Sequence, residues 1–196
     1  MTNIYNLLKF LEKTEGRPIP PEAELLYGEH EPGKDIIYEP RTGGMMLDYS
    51  VSVNLPDNLT IKGDLTIENS KDITTLPKNL TVTGRLHIWN SGISDWPEDL
   101  TVGRSITFAK SPLERIPDNL TVNGYLFIRE SSLKELPKGL HVKDLLNIWE
   151  TEIETLPTDL KVDGDFLAAD TPLAEKYTEE QIRQMCPGIR GSIYLK

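Results

Sequence analysis

The sequence predicts a repeat solenoid, mainly β, with about six coils and short capping helices at both ends. Three observations carry that prediction. A pattern of the form LPxxLxVxGxLxIxxSxI restarts six times, at Leu55, Leu76, Trp96, Ile116, Leu136 and Leu156, with spacings of 21, 20, 20, 20 and 20 residues. Each copy holds two alternating pairs, Leu-x-Val and Leu-x-Ile, the two-residue period of short strands with one face turned inward. A lone copy cannot fold, because ordering about 20 residues costs ~1–2 kcal/mol each while burying about six side chains contributes only roughly 1.5–3 kcal/mol each. Stacked coils share apolar faces and strand hydrogen bonds, so the copies file into a rod.

A rod of this kind exposes its interior at each end unless something covers it. Residues 1–54 read as an N-terminal helix and irregular cap, 55–175 as the six-copy solenoid and 176–196 as a helix-strand cap, all within one structural domain. Ile4, Leu7, Leu8 and Leu11 follow the i, i+3, i+4, i+7 spacing of an amphipathic helix ending near Gly16, expected to cover the first coil. Residues 17–44, with five Pro and four Gly, read mostly as ordered loop with a short helix at 22–27. Residues 45–54 alternate like a degenerate leading coil.

Within the copies, three columns have a physical role. Gly63, Gly84, Gly124 and Gly164 stand between the two strands, where a sharp corner calls for positive φ. The prolines that follow each copy's first residue, Pro56, Pro77, Pro97, Pro117, Pro137 and Pro157, lack a donor and belong outside the strand ladder. Ser70, Ser91, Ser111, Ser131, Thr151 and Thr171 form a hydroxyl column suited to satisfying buried backbone at a turn. After the copies, Thr178-Glu179-Glu180-Gln181 fits a capping box that starts a helix to about Met185; Pro187-Gly188 stop it, and residues 189–196 add a final strand.

The segment Leu-x-Ile-x-x-Ser-x-Ile resembles the leucine-rich repeat signature L-x-L-x-x-N-x-L, with Ser or Thr at the usual Asn position. The leading Leu-Pro is similar to that of the short repeats of bacterial secreted effectors. The nearer likeness is to small proteins carried by bacteriophages and prophages, whose repeats read LPxxLTVxGxLxIxxTxI. The extra L-x-V-x-G strand departs from the effector repeats and points to a flattened β-solenoid rather than a horseshoe. Cys186 lies in Cys-Pro-Gly, unlike the setting of the ubiquitin-ligase domain that some effectors carry. The phage likeness implies a protein that binds and disables a bacterial host protein, such as a defence component, in the host cytoplasm.

Composition narrows the function. The 196 residues are 38% hydrophobic, which argues against disorder, and no apolar run approaches the ~18 residues of a membrane span. The start lacks a basic front and a long apolar block, and the single Cys186 forms no intrachain disulfide, so a cytoplasmic, membrane-free protein is expected. A net charge of −10 disfavours direct binding of nucleic acid. There is no phosphate loop, dinucleotide fingerprint, zinc-spaced Cys/His set or nucleophile elbow, so neither enzyme activity nor a cofactor or metal is expected.

The variable positions of the second strand are more informative, because they point outward and line up between coils. They hold Arg85, His87 and Trp89; Tyr125, Phe127 and Arg129; and Leu145, Asn147 and Trp149. Aromatic and arginine side chains dominate binding hot spots, so these nine residues form the expected partner-binding face for a protein, with the small Ala109 between rows as a pocket. The same row is open to a second reading, in which the chain's own first third covers it. The equivalent sites on the first strand, Thr60, Thr81, Thr101 and Thr121, read as plain solvated sheet. Copies five and six carry nine acids against three bases, which keeps two alternatives in view: an acidic mimic of nucleic acid blocking a nucleic-acid-binding enzyme, and a structural or assembly protein.

Overall fold

The computed structural model describes residues 4–16, 18–19, 36–39, 44–48, 55–97 and 99–196. Helix α1 spans Ile4–Glu15, and Gly16 ends it at φ +65, its N–H donating to the Glu12 carbonyl at 3.0 Å. The side chains of Ile4, Leu7 and Leu8, and the short helix expected at 22–27, lie outside the described part.

The winding begins one turn earlier than the six copies. Strands β1 (Ile36–Tyr38) and β2 (Gly44–Asp48) pair in parallel with β3 (Leu59–Ile61) and β4 (Asp64–Glu68), and Tyr38, Met45 and Leu47 are buried. Residues 36–38, in a stretch expected to be mostly loop, thus supply a strand, and the leading coil expected at 45–54 begins with it. The signal was hidden because five residues separate β1 from β2, against two between β3 and β4.

Each later copy repeats the pair. The second gives β5 (Thr81–Val82) and β6 (Leu86–Trp89), and the third gives β7 (Thr101–Val102) and β8 (Ile106–Ala109). The fourth gives β9 (Thr121–Val122) and β10 (Leu126–Arg129), the fifth β11 (His141–Val142) and β12 (Leu146–Asn147), and the sixth β13 (Lys161–Val162) and β14 (Phe166–Leu167). All pairing between strands is parallel, and the second strands form one eight-stranded sheet from β2 to the terminal β15 (Ile193–Tyr194). Leu65, Ile67, Leu86, Ile88, Ile106, Phe108, Leu126, Ile128, Leu146 and Ile148 fill the interior behind it. The result is a mainly-β parallel solenoid of about six coils with helices near its termini.

The first strands form two sheets, β1-β3-β5-β7 and β9-β11-β13. Elsewhere in these sheets backbone bonds join successive coils, as from Thr101 N to Leu80 O (2.9 Å) and His141 N to Leu120 O (2.9 Å). Across the break, the Asn123 side-chain amide donates to the Gly103 carbonyl at 3.5 Å. The break adjoins the copy whose glycine is displaced by one place, giving Gly103-Arg104 instead of x-Gly, and Val102 and Leu120 are only partly buried there.

The glycine column has a different cause from the one expected. Gly63 turns at φ +146, but Gly84, Gly124 and Gly164 are not left-handed. A Cβ on Gly84 would sit 2.6 Å from the Gly63 backbone, and one on Gly164 would sit 2.6 Å from the Asp144 carbonyl oxygen, so stacked corners leave no room for a side chain. Among the described residues, the left-handed positions of the coils are Asn58, Asn79, Asn119 and Gly139 at the Leu-Pro corner, and Asn69, Asn90, Lys110, Glu130, Glu150 and Asp170 after the second strand. Asn suits such a backbone, and its amide joins coils: Asn79 donates to Asn58 (2.8 Å) and Asn90 to Asn69 (2.9 Å).

The hydroxyl column is buried throughout. Ser111 donates to the Ala109 carbonyl (3.0 Å), Thr151 to Ile148 (2.7 Å) and Thr171 to Ala168 (2.6 Å), while the Ser91 and Ser111 hydroxyls meet at 3.1 Å. After Thr171 the sixth copy turns into a helix the repeat pattern does not foretell, α2 (Pro172–Lys176), N-capped by Thr171. Helix α3 (Glu179–Met185) starts at the expected capping box, in which the Gln181 N–H donates to the Thr178 hydroxyl and the Thr178 N–H donates to the Gln181 side chain. Ile189 then bridges to Val162 and β15 pairs with β14, so the C-terminus forms a trailing turn over the last coil.

Candidate functional site

Parallel register brings the outward residues of successive second strands into rows. His87, Thr107, Phe127 and Asn147 are Cα partners across β6, β8, β10 and β12, and so are Trp89, Ala109 and Arg129. Trp149 follows two residues after β12, so the two tryptophans stand three coils apart, about 14 Å at ~4.8 Å per strand. Of the nine residues expected on this face, the register places His87, Trp89, Phe127, Arg129 and Asn147 in two adjacent rows, while Arg85, Tyr125 and Leu145 lead into their strands and Trp149 follows β12.

Their environments differ. Arg85 is exposed, whereas His87, Trp89, Tyr125, Phe127, Arg129, Leu145 and Trp149 are half-buried. Asn147 is buried, and its Oδ1 accepts the Trp149 N–H at 2.9 Å, so its role is to hold the turn before Trp149 rather than to offer surface. Ser105, Thr107 and Ala109 of the third coil are also buried, with Ala109 fully so between Trp89 and Arg129. The pocket expected at Ala109 is thus closed.

The large side chains are held by one another and by neighbouring charges. His87 stacks on Trp89 with ring centroids 6.3 Å apart and planes at 4°, and its Nε2 lies 3.2 Å from Glu68. The Lys110 ammonium sits over Trp89 at 5.1 Å, and the Arg129 guanidinium over Trp149 at 5.0 Å. Each such contact contributes about 0.5–1 kcal/mol at an exposed site. Arg129 also donates to Glu150 at 2.9 Å, and the Trp149 indole N–H donates to Asp170 at 2.9 Å. The Tyr125 and Phe127 rings lie 4.6 Å apart and tilted. Rigid, mutually braced aromatics lose little freedom when a partner covers them, which favours association.

Other parts of the molecule differ in chemistry. On the first-strand side, His141 Nε2 meets Asp163 at 2.9 Å and Arg190 meets it at 3.0 Å. The His141 hydrogen bond, with Arg190 adding its charge, holds the Asp163 carboxyl below the usual carboxylate range despite partial desolvation. The Cys186 thiol is buried, donates to the Pro157 carbonyl at 3.3 Å and is pushed up by burial and by Asp159. Two clefts of about 720 and 550 Å³ run along the Leu-Pro corners beside Ile116, Leu136 and Trp96. Among the described residues no group of three or more His, Cys, Asp or Glu is arranged to hold a metal ion, and no helix is long and apolar enough to cross a membrane.

Two cations beside the face went unnoticed in the sequence. Arg104 is exposed at the corner leading into β8, in the glycine column, and Lys110 follows β8 in the left-handed column and reaches over Trp89; both lie outside the alternating positions that pick out surface side chains. Their signal was the departure of the third copy from the repeat. The chain matches no protein-family model, no curated protein and no solved structure.

Proposed function

We propose that this chain is a non-catalytic binding module that recognises a protein partner through the outer face of its eight-stranded sheet. The observation that carries the reading is the pair of adjacent rows holding His87 with Phe127 and Trp89 with Arg129, kept in register on an unbroken sheet whose interior does not require them, with Trp149 two residues past β12. Solvent-facing sheet positions favour residues such as Thr, as the first strands show at Thr60, Thr81, Thr101 and Thr121. Large aromatics and arginine at the matching positions supply contact area with few rotors. The resemblance of the repeats to small phage-borne proteins supports a narrower form of the proposal, in which the partner is a bacterial host protein that the module disables.

Affinity capture from bacterial lysate, run in parallel with the wild-type chain and the Trp89→Ala and Arg129→Ala variants, tests this. The expected result is a protein retained by the wild type and reduced by about tenfold or more with each variant, while circular dichroism and melting show both variants folded. Full retention by both folded variants removes the face from consideration.

A further inference from the structure

Across the six copies, the cations on the second strands and the corners flanking them are concentrated in the middle three. In the second, third and fourth copies, the stretches that lead into, form and leave the second strand (84–90, 104–110 and 124–130) carry Arg85, Arg104, Lys110 and Arg129 against the single carboxylate Glu130. The equivalent stretches on either side carry acids and no Lys or Arg: Asp64 and Glu68 in the first copy, Asp144 and Glu150 in the fifth, Asp165 and Asp170 in the sixth. A chain of formal charge −10 thus holds a positive belt spanning three coils, about 10 Å between the outer two at ~4.8 Å per strand, between negative margins.

Two cations of the belt are uncommitted. Arg115, Arg129 and Arg190 face Asp95, Glu150 and Asp163, and Arg183 donates to the carbonyls of Ile189 and Gly191. Arg85 and Arg104 are exposed and have no ion pair among the described residues. They stand on neighbouring coils, with the Tyr125–Phe127 ring pair on the next second strand.

The geometry points to a short acidic segment of a partner protein as the occupant of this belt, its carboxylates on Arg85 and Arg104 and an apolar neighbour on Tyr125 and Phe127. The inference rests on the protein-binding reading above and adds the partner's chemistry. A planar guanidinium without a carboxylate is ready to take one through two parallel hydrogen bonds. The acidic margins limit the length of the ligand. A nucleic-acid strand gains affinity by laying successive phosphates on cations, but one running past this belt meets Asp64 and Glu68 on one side or Glu150 and Asp165 on the other. An acidic segment with neutral or basic flanks matches the belt and both margins, and like-charge contact rejects longer polyanions.

Selection from a random-peptide library on the full chain, followed by fluorescence anisotropy of the recovered peptides with oligothymidylate as competitor, tests the assignment. Recovered peptides are expected to cluster Asp and Glu beside an aromatic or aliphatic residue. The double variant Arg85→Glu/Arg104→Glu should weaken them by about a hundredfold and Phe127→Ala by about tenfold, with oligothymidylate failing to displace them. Peptides that lose binding with Phe127→Ala yet bind the double variant unchanged overturn the acidic partner and leave the binding face standing. Peptides indifferent to all three substitutions, or no enriched sequence, sink both. Displacement by oligothymidylate at matched charge overturns the assignment in favour of a single-stranded nucleic acid.

Discussion

The first-strand sheets and the second-strand sheet are wound from the same copies, yet one set is interrupted after β7 while the other runs unbroken through eight strands. First strands in the second to sixth copies pair over two residues each, with Thr or another polar residue facing out, whereas β6, β8 and β10 pair over four and carry the aromatic and arginine rows. The difference separates two tasks. Winding needs only the inward positions, which both strand types keep apolar. Continuity between coils three and four rests on the second strands, and that sheet's outward positions are the ones loaded with large side chains. A rigid, uninterrupted sheet is the better support for a row whose value depends on spacing.

The contrast can be broken most sharply in the interior. Leu126→Ala, fully buried behind β10, should cost about 2–5 kcal/mol, whereas Val102→Ala beside the break should cost about 1 kcal/mol. Urea unfolding of the two variants measures both, and equal losses would mean that the interrupted side carries as much of the stability as the continuous one. A smaller effect separates the two explanations of the glycine column. Gly164→Ala should cost about 1–3 kcal/mol in thermal unfolding, because its Cβ would press on the Asp144 carbonyl although its backbone is not left-handed. A variant as stable as the wild type would show that the corners can spread.

The smallest expected effect concerns the first-strand face at the C-terminal end. Asp163, held by His141 and Arg190, titrates below its ordinary value in the folded chain. A lowered folded pKa means that its contribution is present above the unfolded value of about 4 and fades as pH falls through the folded one. The melting temperatures of wild type and Asp163→Asn should therefore differ at neutral pH and converge in strong acid. A gap that stays constant across that range would assign the effect to packing instead of charge.

The winding was legible because its cause is periodic: each copy places the same apolar residues at the same intervals, and parallel register follows from stacking them. The leading turn at β1 and β2 was not, since five residues rather than two separate its strands and break the period. The glycine column was read correctly as a corner, and its positive φ holds at Gly63 but not at Gly84, Gly124 or Gly164, because a sequence shows that a side chain is missing without showing whether conformation or crowding removed it. Asn58, Asn79 and Asn119 hold the left-handed corners in plain view within Pro-x-Asn-Leu, but Asn is common enough in turns to pass as solvent-facing. The face was legible as a row of outward aromatics. Its shape was not, because closure of the row over Ala109 depends on the size of residues from neighbouring coils.

Strict register across the unbroken sheet has a consequence for how such a chain can change over generations. Unequal exchange between the stretches encoding two copies would add or remove one whole turn, and the new neighbours would still meet apolar against apolar, Asn against Asn. An event falling between the second and fifth copies would move the two tryptophans nearer or farther by one strand spacing while leaving the interior chemistry as it was. A lineage built this way can resize its grip on a target by duplication and deletion, reserving point mutation for what the grip touches.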